Sequence, residues 1–566
     1  MPYPRLIVNP APPAKVEVGA RADVALFVGF TPRRDGDAPD ALLAWLQAAG
    51  WAGEGAYARS DAAVQALLDV PVPIDNWRDF DALFAWDQRL QEAGLPDTVP
   101  CPLGLAVRSF FAEGGAKAYI VRVGDPPPLV DRRDAAAVLA DKRKLISWDP
   151  GHPTTQPADV ADRVPLLSGF GQLGLPASTG DAATWHGTAH VLGLDDVALI
   201  ALPDLPELYS GPPLPLPPPA DPPAVAERFV PCAPTIPGAA PGQRPDALNM
   251  TAPRLDRAGY AGWATAIQYV LGLMSPPGGA GHRRDVMLVA SLPLPSLADD
   301  AAPARAEAWP LAILDEAGLP ANLPGISADE ATALGNATLL DVGQIGSARL
   351  QLAYPWVGTA ASAGMPEGVE GAEGVLLGAI AHTSLRYGAF WSAAGQPVTS
   401  VSSTLPELGS GDLQRAAPGE ADWLGDRLSL VGSKLGQPIL LSDATVSADV
   451  QWRAGGVSRL MNQILRSARG LGEELFFQPS GPKLWAQMQR RLRDFMTQLW
   501  AAGALYGASA ADAFEVRCDN SSMTQSDIDA GRVIATIAFT AAQPIQQITV
   551  TLALSQAGVG PSQEAA

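Results

Sequence analysis

The amino-acid sequence predicts an α/β protein that is divided into several domains. The chain has 566 residues, more than one hydrophobic core usually holds, and 47% of them are apolar. Continuous apolar runs at 24–30, 197–202 and 285–292 are typical of strands buried on both faces of a mainly parallel sheet. Helical patterns lie between these runs, and alternation of strands with helices indicates an α/β layer structure.

The first part of the chain begins this alternation. Residues 24–30 are predicted to form a buried strand, and residues 118–123 form the next strand of this type. Between them, apolar residues recur at helical spacing over 79–90 and again over 103–111. We therefore expect two helices between these strands.

The middle of the chain continues the same pattern. A proline-rich run at 212–223 is predicted to be an exposed loop in an extended conformation. After it, a helix over 255–273 leads into the strand at 285–292. The α/β pattern is then continued by segments at 349–354, 374–385, 428–433 and 438–441.

The C-terminal part combines an amphipathic helix with alternating strands. Over 484–500, apolar side chains recur every three or four residues, which places them on one face of a helix. A short strand is predicted at 514–519. Apolar residues then alternate with other residues over 533–539 and over 545–554, as they do in strands with one buried face.

Charge and cysteine content argue against several classes of protein. The formal net charge of −20 gives a surface that repels nucleic acid and anionic membranes, so we expect neither as a partner. Three cysteines are too few and too scattered for a disulfide framework. The first 20 residues do not have the pattern of a signal peptide, and the sequence has no run of about 18 apolar residues. We therefore expect no direct membrane insertion.

One histidine pair suggests chemistry. His186 begins a His-Gly-Thr sequence of the kind found in subtilisin-like proteases, and its spacing from His190 would also suit a metal pair. The sequence lacks a matching serine segment and a convincing aspartate motif for a triad. It also lacks a glutamate between the histidines and a third metal ligand. We therefore predict no catalytic residue, metal or cofactor, with an α/β hydrolase as the alternative.

Several stretches, taken together and in order, resemble the contractile tail sheath proteins of phages and phage-like injection systems. Near the N-terminus these stretches are 24–31 (VALFVGFT), 72–84 (VPIDNWRDFDALF) and 105–123 (LAVRSFFAEGGAKAYIVRV). Near the C-terminus they are 475–485 (LFFQPSGPKLW) and the block 495–534 that begins FMTQLWAAGALYG. The resemblance implies an α/β middle domain related to subtilisin but without a catalytic triad. It further implies an α+β C-terminal sheath domain and extended terminal arms.

This resemblance leads to a predicted division of the chain into six parts. In chain order they are an N-terminal arm (1–20), an N-terminal part of the sheath core (21–130), an insert (131–180), a subtilisin-like α/β sheath domain (181–425), a C-terminal sheath domain (426–544), and a C-terminal strand and tail (545–566).

The resemblance also implies a function. The chain is expected to polymerise helically around an inner tube and to contract, which drives the tube through a target envelope. Its expected partners are further copies of itself, the inner tube protein, and baseplate and cap or terminator proteins. Assembly is expected in the bacterial cytoplasm, as part of a phage tail or of a phage tail-like particle that can be released from the cell. A non-contractile assembly scaffold is a second alternative.

Two sets of residues are the predicted intersubunit contacts. The first set comprises the apolar residues of the two arms: Leu6, Ile7, Val8, Val16, Val18, Ile548, Val550, Leu552 and Leu554. A chain that ends in an alternating strand can donate that strand to a neighbour's sheet, and the resemblance favours this interpretation over closure of its own sheet. The second set comprises Arg490, Arg491 and Arg493, which lie off the apolar face of the 484–500 helix. These arginines either contact the tube or a neighbour, or form a solvated basic face.

Overall fold

The computed structural model describes about two thirds of the chain. The described residues are 20–53, 58–146, 164, 166–167, 185–216, 247–274, 283–295, 347–408, 424–447, 449–475, 481–529 and 533–542. The predicted arm residues at both termini lie outside these ranges. No helix within them is both long enough and apolar enough to cross a lipid bilayer.

The strands in chain order are β1 (Ala25–Gly29), β2 (Pro71–Ile74), β3 (Arg89–Leu90), β4 (Thr98–Val99), β5 (Ala118–Arg122), β6 (Leu199–Ala201), β7 (Arg254–Leu255), β8 (Met287–Ser291), β9 (Leu294–Pro295), β10 (Leu350–Tyr354), β11 (Trp356–Thr359), β12 (Val401–Leu405), β13 (Ser429–Lys434), β14 (Gln437–Leu440), β15 (Phe514–Arg517) and β16 (Thr536–Phe539).

The helices are α1 (Asp40–Ala48), α2 (Asp61–Gln65), α3 (Trp77–Leu83), α4 (Pro102–Ala112), α5 (Ala135–Ile146), α6 (Leu205–Tyr209), α7 (Arg257–Met274), α8 (Glu373–Tyr387), α9 (Leu424–Arg427), α10 (Val450–Arg453), α11 (Gly455–Glu473), α12 (Pro482–Ala501), α13 (Ala510–Ala513) and α14 (Gln525–Asp529).

An eight-stranded sheet forms the centre of the molecule, in the order β14-β13-β10-β8-β6-β1-β5-β2. The six inner strands are parallel, and the two outermost strands, β14 and β2, are antiparallel to their neighbours. The apolar runs predicted to be buried strands become β1, β6 and β8, and every residue of these three strands is buried. The predicted mixed α/β architecture is therefore confirmed.

Each face of the sheet is covered by its own hydrophobic core, because side chains alternate between the faces along a strand. On β1, Leu26 and Val28 belong to one core, which includes Trp263 of α7. Ala25 and Phe27 of the same strand belong to the other core, which includes Phe110 of α4. The continuous apolar pattern of β1 follows from this burial on both faces.

Helices α4 and α8 approach each other closely on the second face, and glycine permits this approach. A Cβ atom on Gly374 would lie 2.4 Å from the carbonyl oxygen of Ala106, and one on Gly378 would lie 2.6 Å from that of Phe110. Both distances are well below van der Waals contact, and both obstacles are main-chain atoms. The glycines of α8 therefore set the distance between the two helices.

The predicted helix over 79–90 is shorter than expected. Helix α3 ends at Leu83, because Phe84 takes an extended conformation and its chain forms an antiparallel bridge with Arg33. Its beginning is set by Asn76, whose side chain accepts a hydrogen bond from the main-chain nitrogen of Asp79 at 3.1 Å. After Leu83, Phe84 and Trp86 are buried outside any helix, whereas Leu90 is exposed and belongs to β3, so the helical spacing of these residues was misleading.

The large sheet does not follow the predicted division of the chain. Strands β13 and β14 join it, although they were assigned to the C-terminal domain that begins at 426. Beyond them, α11, α12, β15 and β16 surround a separate hydrophobic core, in which Ile464, Phe495 and Val516 are buried. The domain division itself stays a prediction.

We predict that Gly378→Ala lowers the free energy of unfolding by about 1–3 kcal/mol, because the new methyl group forces α4 and α8 apart. Gly470→Ala is a matched control, since a Cβ atom at this position of α11 meets no atom within 4 Å. The control should be neutral or stabilising by up to about 1 kcal/mol. Urea unfolding of both variants measures this difference, and equal midpoints would contradict the packing argument.

Candidate assembly interface

The C-terminal two-stranded sheet is formed by β15 and β16, which pair antiparallel with Val516 opposite Ile537. On β15, Phe514 and Val516 point into the core formed with α11 and α12, whereas Glu515 and Arg517 are exposed. The alternating strand predicted over 533–539 is thus present in part, as β16, which begins only at Thr536. It stays within its own subunit.

The two edges of this small sheet differ. On β15, the main-chain oxygen of Val516 accepts a hydrogen bond from the side-chain amide of Gln489 on α12 at 3.0 Å. On β16, no strand of the described chain pairs with the edge that faces away from β15. Thr536 and Ala538 of β16 are exposed. The open edge of the sheet is therefore that of β16.

Both ends of the described chain lie close to this C-terminal unit. The main-chain nitrogen of Ala20 donates to the hydroxyl of Ser467 on α11 at 3.0 Å. At the other end, the main-chain nitrogen of Ala542 donates to the carbonyl oxygen of Ala504 at 3.0 Å. Residues 1–19 and 543–566 therefore both continue from the unit that carries the open edge. The predicted role of the terminal residues as intersubunit contacts stays a prediction.

The three arginines of α12 are not equivalent. Arg490 and Arg493 are exposed, whereas Arg491 is half-buried and forms an ion pair with Glu474. The apolar stripe predicted for this helix is buried, including Leu492, Phe495, Met496 and Leu499. Of the three predicted contact residues, Arg490 and Arg493 thus present their charges most openly.

The histidine pair is bound to a buried aspartate that sequence reasoning missed. Asp69 Oδ2 lies 2.6 Å from His186 Nδ1, and Asp69 Oδ1 lies 2.9 Å from His190 Nε2. Asp69 also accepts hydrogen bonds from the main-chain nitrogen of Gly187 at 3.0 Å and from Arg59 Nε at 3.1 Å. These contacts fasten the turn 188–193 to the chain just before β2. They give the histidines a structural role.

The charges around Asp69 explain its protonation state. Burial alone would raise the pKa of Asp69, but the charge of His190 and the hydrogen bonds from both histidines outweigh burial and hold this pKa below its usual range. Burial lowers the pKa of His190. No group of three metal-ligating side chains occurs among the described residues.

The carboxyl edge of the parallel sheet, where α/β proteins usually bind ligands, is filled by protein. Glu373 at the start of α8 accepts a hydrogen bond from the hydroxyl of Ser291, which ends β8. Glu370 accepts from Thr359 Oγ1 at 2.7 Å and from Ser109 Oγ at 2.8 Å. The cavity beside these carboxyl groups has a volume of about 20 Å³, which is room for about one water molecule.

These buried carboxyl groups favour their neutral form. Burial raises the pKa of Glu373 to about 8, and the charges of Glu370 and Asp204 add to this effect. Burial likewise raises the pKa of Glu370 to about 7. The neutral form suits Glu373 in particular, because a carboxyl group without a cation beside it is stable in a low-dielectric interior only when it is protonated.

The comparisons with known proteins bear on the C-terminal unit. Residues 447–555 match the family model of the phage tail sheath C-terminal domain. The chain carries a phage tail sheath C-terminal domain. The match confirms the predicted relation to contractile tail sheath proteins. It includes α11, α12 and the β15–β16 sheet, and it extends across the predicted terminal strand at 545–554.

One solved structure with a TM-score above 0.5 is similar in fold over nearly the whole chain. A chain of the anti-feeding prophage (AFP) baseplate in the contracted state is similar with a TM-score of 0.53 and 15% identity, covering 98% of both chains. A chain of the PVC sheath complex, an extracellular contractile injection system in the contracted state, has a TM-score of 0.49 and 14% identity, also with 98% of both chains covered. The sheath tail protein of Desulfitobacterium hafniense has a TM-score of 0.25 and 14% identity, covering 45% of this chain and 53% of its own. No curated protein matches the chain.

We predict that Asp69→Asn destabilises the protein by about 3 kcal/mol, because the substitution removes the buried charge that Arg59 and His190 contact. Asp61→Asn, at an exposed position in the first turn of α2, should cost less than about 1 kcal/mol. Thermal unfolding of both variants at neutral pH measures the difference. Equal losses would contradict the role assigned to Asp69.

We also predict that Glu373 makes stability depend on pH above its unfolded pKa. The folded pKa of about 8 lies above the ordinary glutamate value of 4.5. The contribution of Glu373 is therefore complete below pH 4.5 and is lost as the pH rises towards 8. Glu373→Gln, which resembles the neutral acid, should flatten this part of the stability curve. Glu515→Gln, at an exposed position of β15, should leave the curve unchanged.

Proposed function

We propose that the chain is a structural subunit of a contractile sheath. It polymerises helically around an inner tube, and its contraction drives the tube through a target envelope. The observation that carries this proposal is the match of residues 447–555 to the phage tail sheath C-terminal domain. The free energy for contraction would be the difference between two packings of the same subunits, one extended and one contracted.

In this proposal the terminal arms connect neighbouring subunits. Residues 1–19 and 543–566 continue from the tail sheath domain, and β16 of that domain has an open edge. Strand addition at this edge would place the alternating residues of 545–554 against a neighbour's sheet. Each main-chain hydrogen bond contributes about 0.5–1.5 kcal/mol, so a few bonds in each arm would keep subunits connected while their bodies change contacts.

The remaining partners follow from the same proposal. Arg490 and Arg493, exposed on α12, are proposed to contact the tube or a neighbouring subunit. Baseplate and cap or terminator proteins would contact the two ends of the sheath. Assembly would take place in the bacterial cytoplasm, and the product would be part of a phage tail or phage tail-like particle. The AFP chain with a like fold belongs to a baseplate in its contracted state, which agrees with a particle of this kind.

We also propose that the α/β domain is related in fold to subtilisin without acting as an enzyme. Its parallel inner strands and the helices on both faces support this relation. The two histidines that resemble a protease motif are both hydrogen-bonded to Asp69. The carboxyl edge of the sheet is filled by hydrogen-bonded side chains, so the structural role agrees with the packing there.

We predict that the purified full chain forms hollow tubules in negative-stain electron microscopy. Removing residues 545–566 or 1–19 should leave folded subunits that no longer assemble, because strand addition is lost. A persistent monodisperse monomer of the full chain would argue against a sheath. Ordered tubules from either truncated chain would exclude the corresponding arm as a connector.

A finer variant separates the strand from the tail. Val550→Asp with Leu552→Asp places charge on the apolar face of the terminal strand and should block assembly. Thr549→Asn with Thr551→Asn changes the opposite face and is the matched control, which should still assemble. Circular dichroism of both variants reports whether the subunit remains folded. Equal behaviour of the two variants would contradict the predicted register of the strand.

A further inference from the structure

Three buried or half-buried arginines converge on one carboxylate where α11 crosses the amino edge of the large sheet, and a fourth lies nearby. The carboxylate is that of Asp285, which precedes β8 and is fully buried. Asp285 lies 3.3 Å from Arg283, 3.4 Å from Arg466 and 2.7 Å from Arg469. The fourth arginine, Arg349, ends a 3-10 turn that packs against α11. These four arginines and Asp285 are called the basic cluster below.

The arginines of the basic cluster differ in how well their donors are satisfied. Arg283 donates to the carbonyl oxygens of Leu194 at 2.6 Å and of Val197 at 2.7 Å, besides Asp285. Arg466 donates to the carbonyl oxygens of Val197 and Asp285, but its Nε has no acceptor within the described structure. Arg349 is only 8% exposed, and among the described residues neither its Nε nor its Nη1 has an acceptor.

Such an arrangement is costly without a further negative charge. An arginine stays charged at neutral pH, and a buried charge without a partner costs several kcal/mol. The pKa of Arg349 is lowered to about 10, chiefly by burial. The positive charge of nearby Arg284 also lowers this pKa, and this effect is larger than the opposite effect of Asp285. Burial also lowers the pKa of Arg466 to about 10. The guanidinium groups of Arg349 and Arg466 therefore both remain cationic at pH 7. The basic cluster holds four arginines and one carboxylate, so positive charge is in excess there.

We propose that the basic cluster is a binding site for one oxyanion, held by Arg349 together with Arg469 and Arg466. Guanidinium groups suit this ligand, because their planar fork donates two parallel hydrogen bonds to phosphate or carboxylate oxygens. The Arg469 side chain is 28% exposed, so the basic cluster reaches the protein surface at this residue. The bound anion would link the tail sheath domain, through α11, to the turn before β10.

The site should bind anions specifically, because the rest of the chain repels them. With a net charge of −20, the protein does not accumulate phosphate by its overall field. Saturable binding of one phosphate per chain would therefore indicate a local site. Binding to Arg349 should be strongest for an ion with two or more oxygens in fork geometry.

Titration of the purified full chain with inorganic phosphate, at constant ionic strength in chloride buffer, tests the site by calorimetry. We expect saturation at one phosphate per chain, and affinity weakened by about ten-fold or more in Arg349→Met and Arg469→Met. Arg78→Met, at an exposed position on α3, is the matched control and should bind as the original chain does. Absent or unsaturable binding, or equal affinity in Arg349→Met and the original chain, would reveal an adventitious ion only and overturn the proposal.

Thermal unfolding provides a second readout that a purely structural arginine would not produce. In chloride buffer, Arg349→Met should be more stable than the original chain, because it removes a buried charge without a partner. In saturating phosphate the order should reverse, because only the original chain gains the anion. A loss of stability in both buffers would overturn the proposal. Competition by acetate shows which kind of anion the site binds. If acetate displaces phosphate, the site binds carboxylates, and if phosphate stays bound in acetate, the site is specific for phosphate.

Discussion

Helix α11 is held to the large sheet by charged hydrogen bonds, and the position of the whole tail sheath domain depends on them. Arg459 Nη1 donates to Asp443 Oδ1 at 2.9 Å, and Arg459 Nη2 donates to Asp443 Oδ2 at 2.6 Å. Gln351 of β10 donates to the same carboxylate at 2.7 Å. Further along the helix, Arg466 and Arg469 contact Asp285 before β8.

This charged face makes α11 a two-sided connector. Its opposite side carries Leu460 and Ile464, which pack into the core with Leu492 and Phe495 of α12. Apolar packing inside the domain tolerates small shifts, whereas a buried bidentate ion pair fixes both position and rotation. Removing one partner of such a pair leaves a buried charge and costs about 3–5 kcal/mol. The docking of the domain is therefore specific in register.

Sequence patterns predicted the parts of the fold that depend on apolar periodicity. The buried runs became β1, β6 and β8, and the stripe of the 484–500 helix became the buried face of α12. They did not predict that Arg459 and Arg466 are buried, because arginine on a helix usually faces solvent. The partner of Arg466, Asp285, lies 181 residues earlier in the chain. No local pattern carries information about such a pair.

Sequence patterns predicted only part of the candidate assembly interface. Alternation over 533–539 indicated a strand, but the open edge of β16 depends on where Gln489 of α12 meets Val516. Asp69 was missed for a similar reason, since its left-handed backbone (φ 55°) and its histidine partners arise only in the folded chain. The tail sheath family was recognised from blocks in order, a signal that does not depend on contacts.

These contacts form a continuous mechanical connection through the subunit. A strand added to β16 would pull on β15, and β15 is packed against α12 through Val516 and Gln489. Helix α12 shares its core with α11, and α11 is fixed to the sheet through Asp443 and Asp285. Main-chain hydrogen bonds and buried ion pairs along this connection resist extension of the subunit. Exposed surfaces elsewhere on the subunit are not part of this connection. In the proposed sheath, arms added at β16 would therefore be attached to a rigid unit while the outer contacts between subunits are exchanged.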